Sequence, residues 1–173
     1  MTKILYGLIQ PHDIAFLELS DTYASLKAKG VVARIVGEKM AEVGTDIALA
    51  TGLFNYVSTC QVEAIIYQIK EDVWTNSNSY KYHCRAGHGT SGSPLIDVKT
   101  GEVIGVNYTG NDDGERCTMN NPCEVDPAGN VVVEKGAGYG DQVYKIMDCL
   151  NEDRLIDLTV SGCLLPNNKY VNP

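Results

Sequence analysis

Positive charge is scarce in this chain: 14 Lys and Arg face 22 Asp and Glu across 173 residues, a formal net charge of -8 at pH 7. Such a chain offers no basic face to a phosphate backbone or an anionic membrane, so neither nucleic acid nor membrane is an expected partner. Long hydrophobic runs are missing too. The longest near the start, Ile4 to Ile9, is broken by Gln10, Pro11, His12 and Asp13, which is too short for a signal-peptide core or a bilayer span. None of the six cysteines makes a C-x-x-C, and His83-Cys84 has no partners at ligand spacing. No metal or cofactor is expected on that ground. Internal repeats, low-complexity tracts and dividing linkers are lacking as well.

What is present suits one folded unit with a real core, since 44% of the residues are hydrophobic. The six cysteines fall in three sequence-local couples, Cys60 with Cys84, Cys117 with Cys123 and Cys149 with Cys163. They read better as disulfides than as buried thiols, which implies an oxidising compartment, secreted or periplasmic. With no leader in sight, the chain is expected to be a mature or shortened product, or to begin upstream of Met1.

Short apolar runs of five to eight residues, separated by Gly, Asn, Asp or Pro, give an all-β pattern. Strands are expected near Ile14 to Leu19, Val32 to Val36, Asp46 to Thr51, Cys60 to Lys70, Leu95 to Asp97, Val103 to Tyr108 and Asn130 to Glu134. A hairpin is expected around Lys99-Thr100-Gly101 and a turn at Asp126 to Gly129. Two stretches read as helices, Ser20 to Lys29 and Asp141 to Leu150. Gly136 to Gly140 reads as a bend into the last strand and the terminal helix, since no βαβ unit surrounds it.

The segment that carries chemistry is Cys84-Arg85-Ala86-Gly87-His88-Gly89-Thr90-Ser91-Gly92-Ser93-Pro94. A serine between glycines at minus two and plus one sits in a tight turn open to a substrate carbonyl, and the N–H groups of Gly89 and Ser91 can converge on one spot. The run G-T-S-G-S-P leads straight into the expected hairpin, and Asp13 opens the strand Asp13-Ile14-Ala15-Phe16-Leu17-Glu18-Leu19. Together these motifs resemble the trypsin-like, chymotrypsin-fold serine peptidases, especially the bacterial branch that includes the glutamyl endopeptidases. The likeness runs from Asp13 to about Leu150.

That resemblance implies an all-β, chymotrypsin-like double β-barrel with an incomplete amino-terminal barrel and a carboxy-terminal helix. Residues 1–40 would be the remnant of the first barrel, 41–150 the second barrel with its helix, and 151–173 a disulfide-pinned tail. Peptides or proteins would be the substrates. Ser91 would be the acyl-forming nucleophile, Asp13 the carboxylate that orients the catalytic imidazole, and the N–H groups of Gly89 and Ser91 the oxyanion hole. Tyr108, Thr109 and Gly110 would take the substrate backbone as an added strand. Arg85 falls where the family places the floor of the specificity pocket, which favours an acidic side chain. His88 rims that pocket. Asn107 stands where the glutamyl enzymes carry a His, and Thr90 where the branch activated by a new amino terminus carries an Asp.

A serine hydroxyl needs an adjacent base. In the family this is a His several tens of residues before the Asp, whereas twelve residues precede Asp13, so that His has no counterpart. Of the substitutes, His12 points away from the Asp13 face of its strand, His83 adjoins a cysteine, and His88 lies three residues before Ser91. The chain alone is therefore expected to be inactive, with the missing amino-terminal segment as its partner. The alternative is a peptide-binding pseudo-peptidase that does no chemistry.

Overall fold

The computed structural model describes residues 3–166. Strands β1 (Lys3–Leu8) and β2 (Ile14–Glu18) pair antiparallel as a sheet of their own. Helix α1 (Tyr23–Ala28) follows, shorter than the expected Ser20 to Lys29. Thr22 caps it, its hydroxyl accepting from the Ser25 N–H at 3.2 Å, and Gly30 ends it at φ +80°. The strand expected at Val32 to Val36 does not form. Val32 and Ile35 are 79% and 71% exposed, and only Val36 makes an isolated bridge, to Val103. An apolar run with no facing surface gains nothing from strand pairing.

Nine further strands make one sheet: β3 (Asp46–Thr51), β4 (Tyr56–Gln61), β5 (Ala64–Glu71), β6 (Trp74–Tyr82), β7 (Pro94–Asp97), β8 (Val103–Gly110), β9 (Cys123–Val125), β10 (Val131–Val132) and β11 (Gly138–Gln142). Their order is β10-β9-β5-β6-β11-β8-β7-β3-β4, with antiparallel neighbours throughout. The single strand expected from Cys60 to Lys70 breaks at Val62 and Glu63. The Val62 N–H donates to the Thr45 carbonyl at 2.9 Å and the Glu63 N–H to the Lys81 carbonyl at 2.8 Å. This corner carries the chain from the β4 edge back to β5 and rolls the sheet over a core of Ile47, Leu49, Val62, Tyr80, Tyr82 and Leu95, all fully buried.

The expected turns form at Gly101 (φ +76°) and Gly129 (φ +85°). The helix expected from Asp141 is displaced, because β11 runs on through Gln142 and only a 3-10 helix, Tyr144–Cys149, follows. Gly138 and Gly140 explain why a glycine-rich stretch is a central strand. A Cβ on them would lie 2.7 Å from the Tyr82 ring and 2.5 Å from Leu95 Cδ1, so only glycine fits between these core side chains. Val143 and Ile146 still bury their side chains, against Tyr6 and Ile14, and join the β1–β2 hairpin to the larger sheet.

All three expected disulfides are formed: Cys60–Cys84, Cys117–Cys123 and Cys149–Cys163. The last ties residues 151–166 to the end of the 3-10 helix, while 167–173 of the expected tail lie outside the described residues. No helix among the described residues is long and apolar enough to cross a membrane.

Candidate active site

Two consecutive turns build the loop around Ser91. The Thr90 N–H donates to the Gly87 carbonyl at 3.1 Å and the Ser93 N–H to the Thr90 carbonyl at 3.0 Å. The third residues of these turns are Gly89 (φ +88°) and Gly92 (φ +85°), the conformation a type II turn demands and other residues resist. Ser91 is thereby held exposed at the apex, and its Oγ donates to the Tyr108 carbonyl at 3.0 Å. Among the described residues, neither the Gly89 nor the Ser91 N–H donates to a protein acceptor. Both stay available to a ligand oxygen.

The loop is tied to the sheet from below. Fully buried Tyr82 donates its hydroxyl to Asn107 Oδ1 at 2.6 Å, Asn107 Nδ2 donates to Thr90 Oγ1 at 3.1 Å, and Thr90 Oγ1 donates to the Gly87 carbonyl at 2.7 Å. Buried polar groups joined in this way hold one arrangement. Asn107, which the resemblance places among the substrate-binding residues, does line the cavity described below. Its amide is 3% exposed in residue terms and engaged on both sides, so it supports the Ser91 loop.

Asp13, His88, Ser91, Asn107, Tyr108 and Gly110 line one cavity of about 310 Å³. Cys84, Ala86 and Gly87, Gly136 to Gly138, and Glu71, Trp74 and Asn120 line it as well. Asp13 reaches it from the start of β2. Beneath it the fully buried Asp141 accepts the Asp13 N–H through Oδ2 and stands 3.2 Å from His12 Nδ1 through Oδ1. Burial, then the charges of Asp141 and Glu71, push the Asp13 carboxyl above its usual range. The Tyr108 hydroxyl bonds Ser79 Oγ at 2.8 Å, and burial drives it well above its ordinary value. Among the described residues, no strand pairs with β8 beyond Val106 on the β7 side, which leaves Thr109 and Gly110 as a short edge there.

Two expected site residues lie outside the cavity lining. Gly89 stands behind the loop, against Leu53 and Phe54. Arg85 is exposed, its guanidinium 5.6 Å from the Tyr56 ring centroid, an arrangement that holds the cation by its π face. The pocket floor assigned to it is built without it. The cavity lining contains no Lys or Arg at all, whereas Asp13, Glu71 and Asp112 are part of it, so the expected preference for acidic side chains has no cation here to support it.

The three histidines are each engaged elsewhere. His12 faces Asp141, His83 lies between Glu63 and Glu134, and exposed His88 has Nε2 at 3.7 Å from Asp112 Oδ2. Among the described residues no imidazole touches Ser91. Sequence reading missed Asp141, Glu71, Asn76 and the Gly136 to Gly138 lining. The signal for that lining was the close run of glycines; Asp141 had none, because its role depends on packing.

The Trypsin-like peptidase domain model matches residues 2–106, a span that holds both Asp13 and Ser91. No curated protein matches the chain. Similar solved structures include the active form of the Rv3671c protease of M. tuberculosis, at 16% identity and TM-score 0.45, covering 78% of this chain and 50% of that one. The inactive form of that protease gives 17% identity and TM-score 0.44 over 64% of this chain and 49% of that one. The MamO protease domain of Magnetospirillum magneticum gives 13% and 0.43 over 66% and 51%. The chain thus spans about half the length of each of these. With the family model covering more than half its residues, the chain belongs to the trypsin-like peptidase domain family.

Proposed function

We propose that this chain carries the nucleophile half of a serine-type endopeptidase, which hydrolyses peptide bonds through an acyl-enzyme on Ser91. The observation that carries the reading is the loop itself. It exposes the Ser91 hydroxyl, leaves the Gly89 and Ser91 N–H groups without a protein acceptor among the described residues, and is held by a buried network. Ser91 Oγ would attack the scissile carbonyl, the Gly89 and Ser91 N–H groups would hold the oxyanion, and the edge at Thr109 and Gly110 would bind the peptide backbone. Asp13, in the same cavity, would orient and stabilise the imidazole that takes the serine proton. That imidazole would come from polypeptide outside these residues, since His12, His83 and His88 each face other carboxylates.

Three carboxylates and no fixed cation in the cavity lining favour a neutral or cationic substrate side chain over an acidic one. The three disulfides support an oxidising, extracellular or periplasmic setting. The second reading, peptide binding without turnover, is favoured by the single fact that among the described residues Ser91 bonds no base.

A fluorophosphonate probe tests the first reading. Ser91 should be labelled in the protein that supplies the imidazole and not in Ser91→Ala, and labelling of the 173-residue chain alone should be weak. Equal labelling of the parent and Ser91→Ala would sink the assignment. If the imidazole-bearing protein stays unlabelled while the 173-residue chain still binds peptide, the binding reading replaces it.

A further inference from the structure

Away from the cavity mouth, folding gathers three residues that no sequence spacing connects. Glu63 sits at the β4–β5 corner, His83 just past β6, and Glu134 on the turn before β11. One ligand atom from each lies within 4.8 Å of the other two. His83 Nδ1 is 2.9 Å from both Glu63 oxygens, and Nε2 is 3.4 Å from Glu134 Oε1. Behind them Lys81 pairs with the other Glu134 oxygen, Oε2, and at 2.9 Å with Glu124 Oε1. Glu124 and Glu134 thus share the Lys81 ammonium, and Glu63 and Glu134 face the two nitrogens of the His83 ring.

We propose that Glu63, His83 and Glu134 form a zinc site, with one oxygen from each carboxylate, one imidazole nitrogen and a water as the four ligands. A nitrogen with two carboxylate oxygens is a set that zinc accepts, whereas calcium and magnesium prefer oxygen alone. Tetrahedral bonds of about 2.0–2.2 Å place ligand atoms about 3.4 Å apart, the separation already present between His83 Nε2 and Glu134 Oε1. Bringing Glu63, which faces the other ring nitrogen, and the remaining separations of at most 4.8 Å to that spacing falls on side chains that are 37% to 40% exposed. A divalent ion would also add positive charge where Glu63, Glu124 and Glu134 crowd around Lys81 and His83. Lys81 and the Tyr139 hydroxyl, which donates to Glu124 at 2.9 Å, hold the outer shell in place.

The site lies at the back of the cavity. A Cβ on Gly136 would stand 3.8 Å from the His83 ring, so the ion would tie the lining at Gly136 to Gly138 to the lining at Cys84. This inference is independent of the peptidase reading, since it needs no chemistry at Ser91.

Zinc chloride titrated into the disulfide-intact 173-residue chain, by calorimetry and by ¹⁵N spectra of the imidazoles, tests it. One zinc should bind per chain, with the His83 nitrogens shifting and those of His12 and His88 unmoved. Affinity should fall about 10- to 100-fold in Glu63→Gln or Glu134→Gln and vanish in His83→Gln, all checked for folding by thermal unfolding. Absence of binding, equal binding to His83→Gln, or shifts confined to His12 or His88 would overturn the proposal. Should His83→Gln fail to fold, the imidazole spectra of the parent chain decide alone.

Discussion

The network beneath Ser91 yields a prediction that can be worked from its bonds. Asn107→Ala removes the acceptor of a fully buried Tyr82 hydroxyl, 2.6 Å away, and one bond to Thr90. Burial holds the Tyr82 phenol far above its ordinary value, so it remains a donor at every working pH and is left unpaired. An orphaned buried hydroxyl costs about 1–3 kcal/mol and the lost bond to Thr90 about 1 more, which gives about 2–4 kcal/mol for the single change. Tyr82→Phe leaves only Asn107 Oδ1 unpaired, at about 1–2 kcal/mol. In the double variant the orphaned hydroxyl no longer exists, so its cost should fall short of the sum of the singles by about 1–2 kcal/mol. Urea unfolding followed by fluorescence of the only tryptophan, Trp74, on the same cavity, measures all four proteins. Additivity within about 0.5 kcal/mol would refute the claim that this network holds the loop as a unit.

Two other outcomes follow from single positions. The Asp13 carboxyl is raised above its ordinary 3.8 by burial, then by Asp141 and Glu71, so its ionised form opposes folding. Its favourable contribution is present below that ordinary value and is lost as pH rises through the folded value. Asp13→Asn should therefore raise the melting temperature at pH 7, and the gap from the parent should close on acidification below about pH 4. A less stable Asp13→Asn at pH 7 would contradict the sign. Gly140→Ala places a Cβ 2.5 Å from Leu95 Cδ1 and 3.1 Å from the Val106 carbonyl. Overpacking there should cost about 1–3 kcal/mol or more in urea unfolding, and an unchanged midpoint would show that β11 can shift aside.

Features governed by local chemistry could be read from the residues alone. The strand Asp46–Thr51 and the Gly101 and Gly129 turns follow from alternation and from glycine at positive φ. The close spacing of the cysteines matched the three bonds that form. β6 was hidden because its sequence, W-T-N-S-N-S-Y-K-Y, carries hydroxyls and amides where a buried strand usually carries aliphatic groups. Those groups are satisfied in the fold, Ser79 by Tyr108 and Tyr80 by the Ala41 N–H. Asp141 and Gln142, the end of β11, read as a helix start because Val143, Ile146, Met147 and Leu150 do repeat at helical spacing. The lateral fit of Gly138 and Gly140 against Tyr82 and Leu95 is a tertiary fact, and it holds the backbone extended through Gln142. At the site, Ser91 and its glycines were visible, whereas the engagement of Arg85 with Tyr56 and of Asn107 with Tyr82 and Thr90 depends on which neighbours the roll of the sheet brings near.

Asp141 shows how the two sheets are made to share one cavity. The β1–β2 hairpin has exposed apolar side chains at Ile4, Leu17 and Leu19 and only a few buried ones, so its own packing is a weak guide to where Asp13 stands. Polar bonds supply the register instead. The Ser77 N–H donates to the Pro11 carbonyl at 3.0 Å, the Thr75 N–H to Gln10 Oε1 at 3.1 Å, and Asp141 takes both the His12 ring and the Asp13 N–H. A hydrophobic contact tolerates sliding, whereas a buried carboxylate that must be satisfied does not. The unfavourable proximity of Asp141 to the Asp13 carboxylate follows directly from this anchoring. The same residue that fixes Asp13 at the cavity also adds to the cost that burial puts on its charge.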